Sequence, residues 1–327
     1  MLSPSTTPTT TADQPLHVTT VWATIHLMRW RIAVSAAIGF ASGAFCWFLM
    51  KRLHQDAADF RWALHLVHLL LDRQNPYDTP FEQYPLTAAL FALPFVRLQP
   101  ELAAGLFWGI SSFVLAFGLT RHGYMRLLIF FAYPYWAGLL TVQWSPIIAA
   151  SGFFPLLLPA TMAKPQVGLP VFLTRFSRRG LLACAVLGLL SLVVLPKWPL
   201  LWFGQLGNYQ YFIPILVLPG ALLILALLRY RDRDALLLFF SSLMPQRWFF
   251  DSFILWLIPQ SRREIVWTVF FSWGAGIWRW YHIPSSFTEV GRYTVIFLYL
   301  PMLAVVLLRK RQNHASAANV PAGLAPV

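Results

Sequence analysis

Charge is the commodity this sequence lacks. Only 11% of its 327 residues are Asp, Glu, Lys or Arg, against 58% hydrophobic residues, and the mean hydropathy is +0.60. A soluble domain carries about 25% charged residues. The deficit excludes a water-facing surface over most of the chain, so lipid must cover much of the exterior. Acids are scarcer still, 12 against 25 Lys and Arg, for a formal charge of +13. The basic residues come in small groups between apolar runs, not as one stripe or tail. That pattern excludes nucleic acid as the partner and follows the positive-inside rule. Cysteine is limited to Cys46 and Cys184, both in apolar stretches. Neither spacing suits a disulfide framework or a metal site, and both read as small buried hydrophobes.

What is present is a succession of apolar runs, near residues 32–50, 101–120, 125–142, 145–174, 181–196, 209–228, 234–246, 249–260, 264–281 and 291–308. They predict an all-α, polytopic transmembrane helical bundle of about ten spans, within a range of about nine to twelve. A Thr/Pro/Ser-rich cytoplasmic tail over residues 1–30 is expected to be disordered. The membrane domain follows over residues 31–312, and a short cytoplasmic tail over 313–327. The first run lacks a small-residue cleavage site and reads as a retained span. The 145–174 run is interrupted by Gly152, Pro155, Pro159, Pro165, Gly168 and Pro170. It predicts a broken helix, which survives at membrane depth only where it lines a cavity or is buried in protein. Residues 85–98, with Pro94 inside, predict a re-entrant segment.

Lys and Arg orient the bundle. With both termini cytoplasmic, Arg29, Arg31, Arg121, Arg126, Arg175, Arg178, Arg179, Arg229, Arg231, Arg233, Arg262, Arg263, Arg309, Lys310 and Arg311 share the inner face. The outer face then has nine basic residues nearly balanced by eight acids.

The first outer loop, residues 51–85, holds most of the outer acids. Within it, Phe60 to Leu71 has good helix formers and no Gly or Pro. Arg61, His65, His68 and Asp72 fall at i, i+4, i+7 and i+11, one face of an amphipathic helix lying in the outer interface. Asp59 at its start reads as an N-cap carboxylate and equally as a general base at the membrane surface. Asp56, one turn earlier, is the weaker candidate. His65 and His68 read as the polar face of an interfacial helix, with no metal site expected. Asn75-Pro76-Tyr77-Asp78 is a turn signal, and Tyr84-Pro85 opens the next apolar run.

The order Asp59-Phe60, Asn75-Pro76-Tyr77-Asp78 and Tyr84-Pro85-Leu86, just after a first span, resembles the polytopic bacterial glycosyltransferases of the GT-C class. The resemblance is to glycosyltransferase family 87, with its alpha-1,2-mannosyltransferase-like members. Gln143-Trp144-Ser145-Pro146 is similar to that family's Gly-Gln segment, with Val142 where Gly is usual. Lys164-Pro165-Gln166-Val167-Gly168-Leu169 is similar to its Lys-Pro segment. The resemblance covers residues 32–180. It implies a GT-C-like fold in a bacterial inner membrane and an inverting transfer on the extracytoplasmic face. A sugar, mannose or another hexose or pentose, moves from a polyprenyl-phosphate donor to a lipid or glycan acceptor, without a cofactor. Asp59 is then the catalytic base, with Asp56, Tyr84, Gln143 and Lys164 as substrate-binding candidates.

Arg247 and His282, in outer loops beside Trp248, Trp280 and Tyr281, are candidates for the donor phosphate. They read equally as interface anchors in an aromatic belt. Asp251, an acid in an apolar run, reads as a site residue or as a partner for Arg247. Broken helices also suit a transporter or lipid flippase, but such proteins place ionisable groups near the midplane. Here the acids cluster in one outer loop, which favours surface chemistry on a lipid-linked substrate.

Overall fold

The computed structural model describes residues 16–78 and 84–309, with side chains from Leu27 onward except that of Asn208. Among the described residues the chain is helical with no β-strand; one isolated antiparallel bridge joins Phe212 to Gln246. The elements that build the site are α1 (Leu16–Arg52), α2 (Phe60–Leu71), α3 (Leu86–Ala92), α4 (Pro100–Leu119), α5 (Tyr133–Leu140), α6 (Ser145–Ser151), α7 (Pro165–Arg175) and α8 (Arg178–Val194). After them come α9 (Trp198–Gln205), α10 (Arg233–Leu243), α11 (Arg262–Tyr281), α12 (Phe287–Thr294) and α13 (Leu300–Leu308).

Three stretches are long and apolar enough to cross a membrane: Leu27–Arg52, Pro100–His122 and Phe287–Leu308. The helices α8 and α9, bent by 91°, make a fourth if they count as one span. The ten apolar runs are therefore not ten continuous helices. Pro and Gly divide most of the others into short pieces, several wound as tight 3-10 turns, including Tyr124–Phe131, Pro155–Met162, Gly220–Arg229 and Phe249–Leu257. Residues 145–174 break as their composition predicts, into α6, the Pro155–Met162 turns and α7. The Leu86–Phe95 segment has at most ~15 Å of helical rise, about half a bilayer core.

One boundary shifts at the N-terminus. Residues 16–30, expected to belong to a disordered tail, continue α1 as helix, because extending an existing helix costs far less than starting one. The remainder of that tail, residues 1–15, and the C-terminal segment from residue 310 lie outside the described residues, as does Glu82 of the first outer loop.

The pairing of α1 with α4 rests on glycines spaced four residues apart on each helix. Gly39 and Gly43 face Gly109 and Gly105 across an antiparallel crossing. A Cβ added at Gly43 would sit 2.7 Å from the Gly105 carbonyl oxygen, and one at Gly105 would sit 2.8 Å from that of Gly43. The two GxxxG spacings let backbones touch, which is how helices associate where lipid removes the hydrophobic driving force. The outer surface of α1 stays apolar and exposed, with Phe40 79% and Phe48 54% accessible. Such exposure is tolerable against lipid and costly in water.

The polar groups segregate to two ends. At one, Arg309 pairs with Asp234 (2.9 Å) and Glu264 (3.1 Å), and Arg175 with Asp234 (2.6 Å). Arg126 donates to the Leu257 and Pro259 carbonyls there. The other end carries Asp59, Arg247 and Arg279 around one hollow. Helix α11 separates the two, since Glu264 and Arg279 lie fifteen residues apart on it, about 22 Å of rise.

Replacing Gly105 with Val should force α1 and α4 apart. The expected outcome is a lower midpoint of thermal unfolding in detergent than for Leu102→Val on the exposed face of α4. Equal midpoints would remove the glycine contact from the stability of this pair.

Candidate functional site

The site begins at Asp59, and the loop before it is strained. Ala57 and Ala58 hold φ of +23° and +43°, a region costly for residues with a Cβ. The Asp59 amide donates to the Thr141 carbonyl (2.9 Å), which clips the loop after α1 to the turn after α5. Phe60 fixes the other side. It is fully buried and stacks on Phe107 at 4.1 Å between centroids, with Trp144 at 5.8 Å. The rest of α2 divides as its spacing predicts: Ala63, Leu66 and Val67 are buried, whereas Arg61, His65, His68 and Asp72 are exposed.

The expected capping role of Asp59 is not realised. Its carboxylate makes no capping bond to the first turn of α2. It accepts a short hydrogen bond from the Gln143 side-chain amide. The carboxylate is thus committed across the bundle and is directed away from its own helix.

Gln143 is completely buried, and its other amide atom, Oε1, accepts from Lys164 Nζ at 2.6 Å. Lys164 is buried too and pairs with Asp251 Oδ1 at 2.8 Å. The second Asp251 oxygen accepts from the Arg247 backbone amide at 2.9 Å. An unbroken chain of partners therefore runs Asp59–Gln143–Lys164–Asp251. An unpaired charge at such depth costs several kcal/mol, so each member requires the next. The expected pairing of Asp251 with the Arg247 side chain is replaced by this one. Arg247 lies ahead of the helical turns that carry Asp251, so its backbone and not its guanidinium faces the acid.

Two hollows meet at Asp59. The larger, about 1020 Å³, is walled mainly by aromatic and aliphatic side chains, among them Tyr133, Trp136, Trp248, Trp273 and Ile277. Its charged members are Asp59, Arg247 and Arg279. Trp280 and Tyr281, which also line it, are 86% and 80% exposed, so it opens to the surroundings. The smaller, about 150 Å³, is lined by Trp62, Tyr84, Lys164, Gln166 and Tyr209. Asp59, Arg247 and Phe250 border both. The Arg247 guanidinium lies 5.8 Å from the Tyr209 ring and 5.9 Å from the Phe287 ring, and no carboxylate among the described residues pairs with it. An exposed guanidinium beside an apolar groove, without a counter-charge, is suited to an anionic ligand.

The structure thus brings together Asp59, Tyr84, Gln143, Lys164 and Arg247 and leaves two candidates apart. Asp56 is half exposed and paired with Arg61 at 3.0 Å, outside both hollows. His282 ends α11 exposed, stacked on Trp278, and lines neither hollow. Its place is taken by Arg279, three residues earlier on the helix, which does face the larger one. Tyr209 and Gln166 were missed as site residues. Gln166 lies inside the Lys164–Leu169 segment already singled out and reaches Tyr209 Oη at 3.4 Å. Tyr209 is separated from every motif and has no sequence signal of its own.

Comparison of the chain with family models, with curated proteins and with solved structures finds no match to any of them.

Lys164→Met would leave Asp251 buried without its partner. A loss of folding stability on the order of 3 kcal/mol is expected, measured by denaturation in mixed micelles. An unchanged unfolding curve would show that the pair is not buried.

Proposed function

We propose that the chain is a polytopic membrane glycosyltransferase. In this reading it moves a monosaccharide from a polyprenyl-phosphate donor to a hydroxyl of a lipid or glycan acceptor, at the extracytoplasmic face of a bacterial inner membrane. The observation that carries the reading is the junction at Asp59. A carboxylate and an arginine without a counter-charge stand where a large, mainly apolar hollow meets a small polar one. The large hollow suits a prenyl tail, and Arg247 and Arg279 in its lining suit a phosphate. The small hollow, with aromatic faces from Trp62, Tyr84 and Tyr209 and polar groups from Lys164 and Gln166, suits one sugar ring.

The chemistry follows from that placement. The acceptor oxygen attacks the anomeric carbon from the face opposite the phosphate, and its proton passes to the Asp59 carboxylate. The new carbon–oxygen bond forms as the sugar–phosphate bond breaks, and the electron pair of the broken bond leaves on the phosphate oxygen. Arg247 and Arg279 stabilise the charge that grows there. Attack from the opposite face inverts the anomeric centre. No nucleotide takes part, and a prenyl phosphate is the second product.

The resemblance to glycosyltransferase family 87 supports the same reading, and one backbone angle adds to it. Val142 stands where that family usually has Gly, and it holds φ of +50°, a value that glycine adopts freely and β-branched residues rarely do. The need for this turn next to Gln143 gives the usual glycine a physical reason. Bundle size is part of the proposal: the broken segments complete about ten crossings around the three continuous ones, a GT-C-like arrangement with both termini cytoplasmic. A transporter or flippase remains the second reading, favoured by the buried Lys164–Asp251 pair. That pair is tied to Asp59 through Gln143, at the border of the two hollows, which favours chemistry over passage.

Asp59→Asn should abolish sugar transfer by the reconstituted protein, with expression and monodispersity unchanged, measured with a panel of radiolabelled polyprenyl-phosphate sugars. Near-normal turnover in that variant would remove Asp59 from the mechanism. For Arg247→Ala the expected change is a raised donor KM, read from initial rates against donor concentration. An unchanged KM would place the phosphate elsewhere.

A further inference from the structure

We propose that Gln143 is a positioning residue for the base: a one-way polar connector, set by the buried Lys164–Asp251 pair, that holds the Asp59 carboxylate at the junction of the two hollows. The proposal rests on the transferase reading for its catalytic meaning, but its geometry stands on the side-chain chain alone.

The direction of the connector is dictated by donor and acceptor chemistry. An ammonium group has donors only, and an ionised carboxylate has acceptors only. Lys164 therefore requires the oxygen of the Gln143 amide, which it meets at 2.6 Å, and the nitrogen must face Asp59. Flipping the amide would set N–H against an ammonium and oxygen against a carboxylate, two repulsive contacts in a buried place. Lys164 is in turn fixed by Asp251 at 2.8 Å, and Asp251 by the Arg247 backbone amide. Gln143 has little freedom of its own, being fully buried on a backbone held by a 3.0 Å bond from its amide to the Gly138 carbonyl. It lines neither hollow, so it has no surface with which to touch a substrate. This reassigns Gln143 from ligand contact to support of the base. Without an oriented donor the Asp59 carboxylate is free to turn toward the N-terminus of α2, where it would cap the helix and leave the junction.

The test separates positioning from mere structural support by restoring the fold without the polarity. Lys164→Met combined with Asp251→Asn removes both buried charges, and the Asn oxygen can still accept from the Arg247 amide. The expected result is thermal stability near that of the parent and turnover lowered about 100-fold; an unchanged donor KM is expected for Gln143→Met, which leaves the lining of both hollows intact. Recovery of turnover together with stability would overturn the proposal. If the double variant fails to fold, Gln143→Met on the intact pair decides: the same loss of turnover supports the proposal, and turnover within a few-fold of the parent overturns it. Electron-microscopy maps of parent and variant provide a reading independent of activity. An Asp59 carboxylate displaced from the junction only in the variant supports positioning, even if the parent transfers no sugar and the transferase reading falls. The same Asp59 position in both overturns it.

Discussion

The constraint on which the site depends is the cost of burying charge. Lys164 and Asp251 are both almost wholly removed from solvent, with side-chain accessibilities of 6% and 1%. Such a pair is tolerated only with good geometry and with its remaining lone pairs and protons satisfied. Here a second of the three ammonium donors goes to Gln143 and the other carboxylate oxygen accepts from the Arg247 backbone. The pair consequently fixes two things at once: the amide that holds Asp59, and the chain segment that carries the cation opposite it. Asp59 and Arg247, the base and the phosphate-binding group of the proposed reaction, share one buried anchor.

Around that anchor the fold supplies rigidity of a different kind. The α1–α4 seam brings backbones into contact through glycines, and the aromatic stack from Phe60 through Phe107 and Trp144 docks the loop after α1 on the bundle. The broken segment 145–174 presents Lys164 at the end of a tight turn, immediately before α7. A continuous helix there would hold its polar backbone groups in internal bonds and would not expose a hollow, so the proline-rich interruption is what makes room for the site.

Helical class, amphipathic α2 and the broken 145–174 segment were legible in the sequence because each rests on a local pattern: composition, a 3.6-residue stripe, proline spacing. Asp59, Gln143 and Lys164 stood out through short motifs. The number of crossings was not legible, because an apolar run records only that a segment avoids water and not that it is one helix. The partner of Asp251 was hidden for the opposite reason. Its true partner, Lys164, is distant in the chain, and the nearer Arg247 offered a pairing at helical spacing that the local backbone does not permit. Asp56 and Asp59 looked alike as acids of one loop, and only tertiary structure shows one paired with Arg61 in solvent and the other turned inward. Tyr209 had no signal of any kind.

The most direct test of the account is an experimental map of the protein in nanodiscs with a non-hydrolysable polyprenyl-phosphate sugar. The account predicts the tail along Trp136, Trp248 and Trp273, the phosphate against Arg247 and Arg279, and the sugar beside Tyr84 and Tyr209 with Asp59 on the face opposite the phosphate. A lipid bound elsewhere on the bundle, with the Asp59 junction empty, would contradict it.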